Sequence, residues 1–231
     1  MERPVHLIAA VPAYDCAATV GAVIRGVRAA GLEVVCVDDG SRDDTARLAE
    51  EAGAVVLRHP TNLGKGEALC TAFKFALDHP ATGVLTLDAD AQHDPADIPA
   101  LVAEHRAHPG ALVLGTRDMS VVPGMRRFGN DVANFWINLF MGRRAPGDRV
   151  ADTQTGFRVY PEELLRRARV TTQRFETETE LLLWAAKLGV DIRAVPIRTI
   201  YGQERSNFRN GPDALRVIRL VVGSALWRRP A

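Results

Sequence analysis

Along the first half of the chain, short aliphatic runs alternate with stripes of helical spacing, and Pro, Gly, Asp or Asn punctuates each change. Residues 5–11, 33–37, 54–57, 83–87 and 111–114 form such runs, too short for buried helices and apolar enough for strands covered on both faces. Between them, Val20, Val23, Ile24 and Val27 fall at i, i+3, i+4 and i+7, a helical stripe that Gly31 can end in a left-handed turn. Ser41 and Asp44 have the spacing of a capping box for a second helix, closed by Gly53. Leu69, Phe73, Ala76 and Leu77 mark a third helix, and Ile98, Leu101, Val102 and His105 a fourth that starts through Pro95. The alternation predicts an α/β fold, a mostly parallel sheet flanked by helices.

After Arg117 the texture becomes more basic and aromatic. Residues 126–144 form an amphipathic stretch, 152–158 read as a loop, and a helix is expected around 178–188. Residues 190–201 read as a strand with Pro196 near a sheet edge, and 212–227 as a last amphipathic helix. With no internal repeat or low-complexity linker, a single domain over 1–231 is expected. Residues 1–120 would be one half, and 121–231 a second half with a C-terminal amphipathic elaboration.

Composition narrows the classes. A chain of 231 residues, 47% of them hydrophobic, can bury an ordinary core, which excludes a disordered or fibrous protein. Lys plus Arg number 29 against 28 for Asp plus Glu, so no overall field favours nucleic acid, and no nucleic-acid partner is expected. Cys16, Cys36 and Cys70 are odd in number and lack metal-ligand spacing, the pattern of reduced, buried thiols in a cytoplasmic protein. The first apolar run leads straight into a Pro-Ala-Tyr-Asp turn, unlike a secretory leader. No apolar run reaches the ~18 residues of a membrane span, Arg216 and Arg219 breaking the C-terminal one.

The strongest chemical signal is Leu85-Thr-Leu-Asp88-Ala-Asp90-Ala-Gln92-His93-Asp94-Pro95. Two carboxylates one residue apart at a strand's end repel each other unless a cation lies between them. A hard divalent ion with oxygen ligands fits, and a diphosphate would complete its shell. Val37-Asp38-Asp39-Gly40-Ser41 again puts carboxylates at the carboxyl end of a strand, where open α/β sheets gather ligands, and such groups accept from ribose hydroxyls or a base N–H. Its bland alternative is a helix-capping turn. In His59-Pro-Thr-Asn62-Leu-Gly64-Lys65-Gly66, glycines would let backbone approach an anion while Lys65 adds a point charge. The spacing is not that of an ATPase P-loop. Val11-Pro12-Ala13-Tyr14-Asp15 can offer an aromatic face and a carboxylate to a base.

In their order, VPAYD, VDDGS, HPTNLGKGEAL, LDADAQHDP and GTR resemble the inverting family-2 glycosyltransferases of GT-A fold. DTQTGFR and the lack of extra domains look most like the polyprenyl-phosphate branch, the dolichol-phosphate mannose or glucose synthase type. The likeness runs over roughly residues 5–205, most specific over 5–120. It implies a mixed, mostly parallel nucleotide-binding sheet and transfer of a hexose from a UDP- or GDP-sugar to a polyprenyl phosphate. Pro12, Tyr14, Asp15 and Asp39 would contact the nucleoside, and Lys65 would help hold the donor. Asp88, Asp90 and Gln92 would surround Mg²⁺ or Mn²⁺. Arg117 would bind the acceptor phosphate, with Arg126 or Arg127 as a second contact ahead of Asn130 and Asn134. Where the family carries VPxYN this chain carries VPAYD, so Asp15 stands at that contact.

The metal would neutralise charge on the departing diphosphate while the acceptor attacks from the opposite face, with inversion. A phosphate acceptor is already ionised and needs positioning arginines more than a base. A sugar or small-molecule hydroxyl acceptor needs a carboxylate base, for which Glu176, Glu178 and Asp152 are the candidates. For the glutamates, a charged helix N-terminus is the structural alternative. A non-catalytic nucleotide-binding module is a further alternative, against which Asp88, Asp90 and Lys65 argue together. A lipid acceptor implies a peripheral position on the inner face of the cytoplasmic membrane. Phe128, Val132, Phe135, Trp136, Leu139 and Phe140 between arginines suit an interfacial helix, and Leu215, Ile218, Val222 and Leu226 form a second stripe that ends in Trp227, Arg228 and Arg229 as interface anchors; packing on the protein's own sheet is the alternative for both.

Overall fold

The computed structural model describes residues 4–117, 152–153, 155–198, 212–224 and 227. The amphipathic stretch 126–144, with Arg126, Arg127, Asn130 and Asn134, lies outside them, as do Leu226 and residues 228–231; Leu215 and Ile218 lie on the last helix, without described side chains.

A seven-stranded sheet forms the centre. β1 (Leu7–Ala13), β2 (Glu33–Asp38), β3 (Val55–Arg58) and β4 (Gly83–Thr86) alternate with α1 (Val20–Ala29), α2 (Thr45–Glu51) and α3 (Lys65–Leu77). A 3₁₀ turn (Pro95–Asp97) leads into α4 (Ile98–Ala107), followed by β5 (Leu112–Arg117), β6 (Arg158–Pro161), α5 (Glu162–Arg167), α6 (Glu176–Leu188), β7 (Ile192–Ile197) and α7 (Pro212–Ser224). The strand order is β3-β2-β1-β4-β6-β5-β7. Among the described strands, only β6 runs antiparallel to its neighbours, β4 and β5. The sheet is therefore mixed and mostly parallel, as expected, and β7 carries Pro196 at an edge.

Strand alternation sends side chains to two cores. Ile8, Ala10, Val35, Val37, Val84, Leu112 and Leu114 pack with α3, α5 and α6 on one face. Leu7, Ala9, Val11, Val34, Cys36, Leu85 and Val113 pack with α1, α2 and α4 on the other. The α1 stripe Val20, Val23, Ile24 and Val27 is fully withdrawn from solvent, each residue contributing about 1.5–3 kcal/mol. Gly31 at φ 84 ends that helix as the pattern predicted. Burial pushes the Cys36 thiol up to about 12, and no disulfide forms among the described residues.

Three expectations change. The capping box does not form: the Asp44 side chain makes no cap hydrogen bond, and Ser41 Oγ instead accepts from Asp15 N. The expected loop gives way to β6 at its last residue, Arg158, and α5 follows. Trp227, read as an interfacial anchor, stacks on Trp184 of α6 with ring centroids 4.7 Å apart. α7 packs along α6, with Lys187 Nζ donating to Ser224 O at 3.2 Å; Val221 is buried while Arg216, Arg219 and Val222 are exposed. Among the described residues, no helix is long and apolar enough to cross a membrane.

Candidate active site

β1 and β2 end side by side, and the loops leaving them are stitched together. Asp39 N donates to Ala13 O at 2.8 Å, Asp15 N to Ser41 Oγ at 2.9 Å, and Arg42 N to Asp15 Oδ1 at 2.8 Å. Asp15 sits at φ 49, a left-handed conformation that aspartate tolerates better than most residues. Pro12 and Tyr14 are half-buried beside it. Asp39 turns inward at 3% exposure. Its carboxylate accepts from Leu63 N (2.9 Å) and Gly64 N (2.8 Å) and lies 2.7 Å from His59 Nδ1, so it binds the 59–64 loop to the end of β2. His59 Nε2 continues to Thr71 Oγ1 at 3.0 Å. A cavity of about 330 Å³ opens here against Gly40, Ser41, Arg58, His59 and Pro60.

The glycines of Gly64-Lys65-Gly66 admit the backbone of residues 173–174. A Cβ on Gly64 would lie 2.6 Å from Gln173 O, and one on Gly66 2.7 Å from Arg174 O. Glu67 N donates to Gln173 O at 3.0 Å. The N-terminus of α3 therefore docks the connection between α5 and α6, and Lys65 is the member of this motif that reaches Asp88.

β4 ends at Thr86, so a turn, not strand alternation, places Asp88 and Asp90. Ala91 sits at φ 61 and Gln92 N donates to Asp90 Oδ1 at 3.0 Å. Thr19 Oγ1 donates to Ala89 O at 2.6 Å, pinning this turn near the start of α1. Lys65 Nζ lies 2.7 Å from Asp88 Oδ1 and 3.1 Å from Glu178 Oε2, joining α3, the β4 turn and α6. Burial works to raise the Asp88 pKa, but the Lys65 ammonium, aided by Arg117, holds it below its ordinary value. Burial likewise works against the Lys65 charge, which Asp88 and Glu178 more than restore. Gly156 stands behind Asp88 and has no room for a side chain: a Cβ there would lie 2.7 Å from Asp88 Oδ2.

Across from this pair, Arg117 at the end of β5 makes a two-pronged bond with the fully buried Asp152, Nε to Oδ2 at 2.6 Å and Nη2 to Oδ1 at 3.1 Å. Such a fork fixes the plane of the guanidinium. His93 lies within electrostatic reach of both pairs, and burial, opposed by Asp88, pushes its pKa down to about 4, so the ring is neutral. Arg158 is fully buried and donates to Thr153 O, Thr155 O and Glu178 O, binding the 152–157 segment to α6.

Sequence reasoning singled out Lys65, Asp88, Glu178, Arg117 and Asp152, which the fold brings into two adjoining ion pairs, and placed Pro12, Tyr14, Asp15 and Asp39 at the neighbouring β1–β2 end. It missed His59, His93, Gly156 and Arg158 as individual residues, although each lies inside a quoted motif. Glu176 begins α6 with Oε2 buried and unbonded. Among the described residues, no three His, Cys, Asp or Glu side chains form a metal-ligating group. Two hard carboxylates still fit Mg²⁺ or Mn²⁺ when phosphate oxygens supply the remaining ligands.

Comparison with known proteins agrees with this geometry. The chain is 32% identical over 204 residues to an uncharacterized protein of Methanocaldococcus jannaschii, covering 85% of this chain and 82% of that one. It is 28% identical over 225 residues to the UDP-N-acetylglucosamine–dolichyl-phosphate N-acetylglucosaminyltransferase of Methanococcus voltae, covering 87% of each. The crystal structure of glucosyl-3-phosphoglycerate synthase from Mycobacterium tuberculosis, with Mn²⁺, UDP-glucose and phosphoglyceric acid, superposes with a TM-score of 0.77. At 22% identity, over 95% of this chain and 79% of that one, it shares the GT-A fold. The model of the family described as Glycosyl transferase family 2 matches residues 9–169, and with the two carboxylates of Asp88 and Asp90 in the turn after β4 this chain belongs to that family.

Proposed function

We propose that this glycosyltransferase moves a hexose, with inversion, from a UDP- or GDP-sugar to a polyprenyl phosphate, working on the inner face of the cytoplasmic membrane. The observation that carries the reading is the pairing of two sites at one sheet edge: Asp88 and Asp90 with Lys65 for a diphosphate, and Arg117 oriented by Asp152 for an acceptor anion. The dolichyl-phosphate acceptor named for the Methanococcus voltae relative supports the lipid-phosphate class.

In this reading Pro12, Tyr14 and Asp15 line the nucleoside, while Asp39 acts from beneath by holding the 59–64 loop. Asp88 and Asp90, with Gln92 beside them, would hold Mg²⁺ or Mn²⁺, which when bound offsets charge on the leaving diphosphate. Lys65 adds a positive charge on the same side. Arg117 orients the acceptor phosphate, already ionised at neutral pH, so that its oxygen faces the anomeric carbon. Residues 1–120 form the nucleotide-sugar half and 121–231 the acceptor half, with Arg117, at the end of β5, where the two meet.

The test is transfer of radiolabelled sugar from a panel of UDP- and GDP-sugars to a short polyprenyl phosphate with Mg²⁺ or Mn²⁺. Label should enter the lipid phase and be lost in Asp90→Ala. One observation favours a hydroxyl acceptor instead: Glu178 Oε1 is a buried carboxylate oxygen without a hydrogen-bond partner. Label passing only to water-soluble sugars, with loss in Glu178→Gln, would establish that second reading.

A further inference from the structure

Lys65 joins two carboxylates from different elements. Its ammonium stands 2.7 Å from Asp88 Oδ1 and 3.1 Å from Glu178 Oε2, with the Phe175 ring centroid 6.0 Å away. The side chains are largely withdrawn from solvent, Glu178 at 9% exposure the most. Asp88 is backed by Gly156, whose carbonyl accepts from Thr86 Oγ1 at 2.8 Å, so the carboxylate has little room on that side. Glu178 is anchored differently: its backbone carbonyl accepts from the buried Arg158, while Oε1 is left without a partner. A buried carboxylate oxygen with no bond is unfavourable unless another state of the protein uses it.

Resting on the divalent-ion site proposed at Asp88 and Asp90, we propose that Lys65 is a stand-in cation on Asp88, displaced when the ion arrives, and that Glu178 is the positioning residue that retains the displaced ammonium. An ammonium and a divalent ion cannot share one carboxylate oxygen at bonding distance, because like charges at close range in a partly buried site repel strongly. Asp88 cannot draw back from Lys65 into Gly156, so Lys65 is the group that moves. Glu178 is already in contact with it and has a second oxygen to offer. The exchange keeps Asp88 compensated before the donor binds and leaves a positive charge beside the diphosphate afterwards.

Mn²⁺ affinity, read from the paramagnetic resonance of free Mn²⁺ with and without UDP, tests the proposal. If Asp90→Ala binds Mn²⁺ as the unmodified protein does, the underlying ion site fails, independently of Lys65. With that site upheld, Lys65→Met should bind Mn²⁺ without nucleotide on the order of tenfold more tightly. Glu178→Gln should weaken Mn²⁺ binding when Lys65 is present and have no effect in the Lys65→Met background. Unchanged or weaker Mn²⁺ binding in Lys65→Met overturns the stand-in role, and an equal effect of Glu178→Gln in both backgrounds overturns its positioning role. Lys65→Gln, which leaves a donor against both carboxylates, carries the same expectation should Lys65→Met not fold.

Discussion

Gly156 lies outside the groups that carry charge, yet its missing side chain decides where Asp88 can sit. A Cβ at this position would lie 2.7 Å from Asp88 Oδ2 and 3.0 Å from Oδ1, closer than real Cβ contacts allow. Thr86 holds the Gly156 carbonyl from beneath, so the backbone cannot step back without breaking a buried bond. Gly156→Ala is therefore expected to fold, to push the carboxylate towards Lys65, and to lower kcat/KM for sugar transfer roughly 100-fold, the scale of an ångström-sized misplacement. Transfer kinetics beside a thermal melt check this; full activity would mean that Asp88 is not fixed by its backing. The same scale explains why the Arg117–Asp152 pair needs arginine: only a planar fork makes both of its bonds to one carboxylate.

At the scale of elements, α3 links the donor motifs to α6 through its own glycines. Gly66→Ala would set a methyl group against Gln173 C at 2.6 Å and Arg174 O at 2.7 Å, both backbone atoms with little freedom to yield. Overpacking of this kind costs about 1–3 kcal/mol. The expected result is a lower urea midpoint together with weaker donor binding, since Lys65 is the adjacent residue. On the other face of the sheet, α4 buries His105 with neither ring nitrogen well bonded, and burial, opposed by a contact with the Ala111 backbone, holds its pKa below the ordinary value. In the unfolded chain this histidine takes a proton near pH 6.5, which the folded state resists, so its contribution to stability is lost as pH falls below about 6.5. His105→Leu should narrow the difference between urea midpoints measured at about pH 7.5 and about pH 5.5, leaving the share due to His93. These elements were largely legible in the chain: stripes and runs placed α1, α3, α4 and the first five strands within a few residues. β6 was not, because its four residues include a buried arginine, Arg158, and owe their place to β4 and β5 on either side. The Asp88–Lys65–Glu178 junction was legible as separate motifs only; 113 positions separate Lys65 from Glu178, and packing of α3 on α6 is what joins them.

Across the whole molecule, the charge of the donor turn is balanced from within the protein. Two apolar cores cover the sheet, and Leu87 and Ala89 anchor the donor turn in one of them. Asp88 is compensated by Lys65 within the protein, so folding does not call for an ion at that carboxylate. Excess EDTA is accordingly expected to leave the thermal midpoint unchanged while abolishing binding of the nucleotide sugar. With Mn²⁺ present, UDP at about 100 times its dissociation constant should then add about 2.7 kcal/mol by mass action, raising the midpoint by roughly 5–10 °C for a chain of this size. Differential scanning calorimetry distinguishes the cases. A midpoint that falls with EDTA alone would mean that an ion holds the fold together, which two closed cores and an internally compensated Asp88 do not predict; a rise with UDP that needs no metal would place the donor's diphosphate on Lys65 rather than on Asp88 and Asp90.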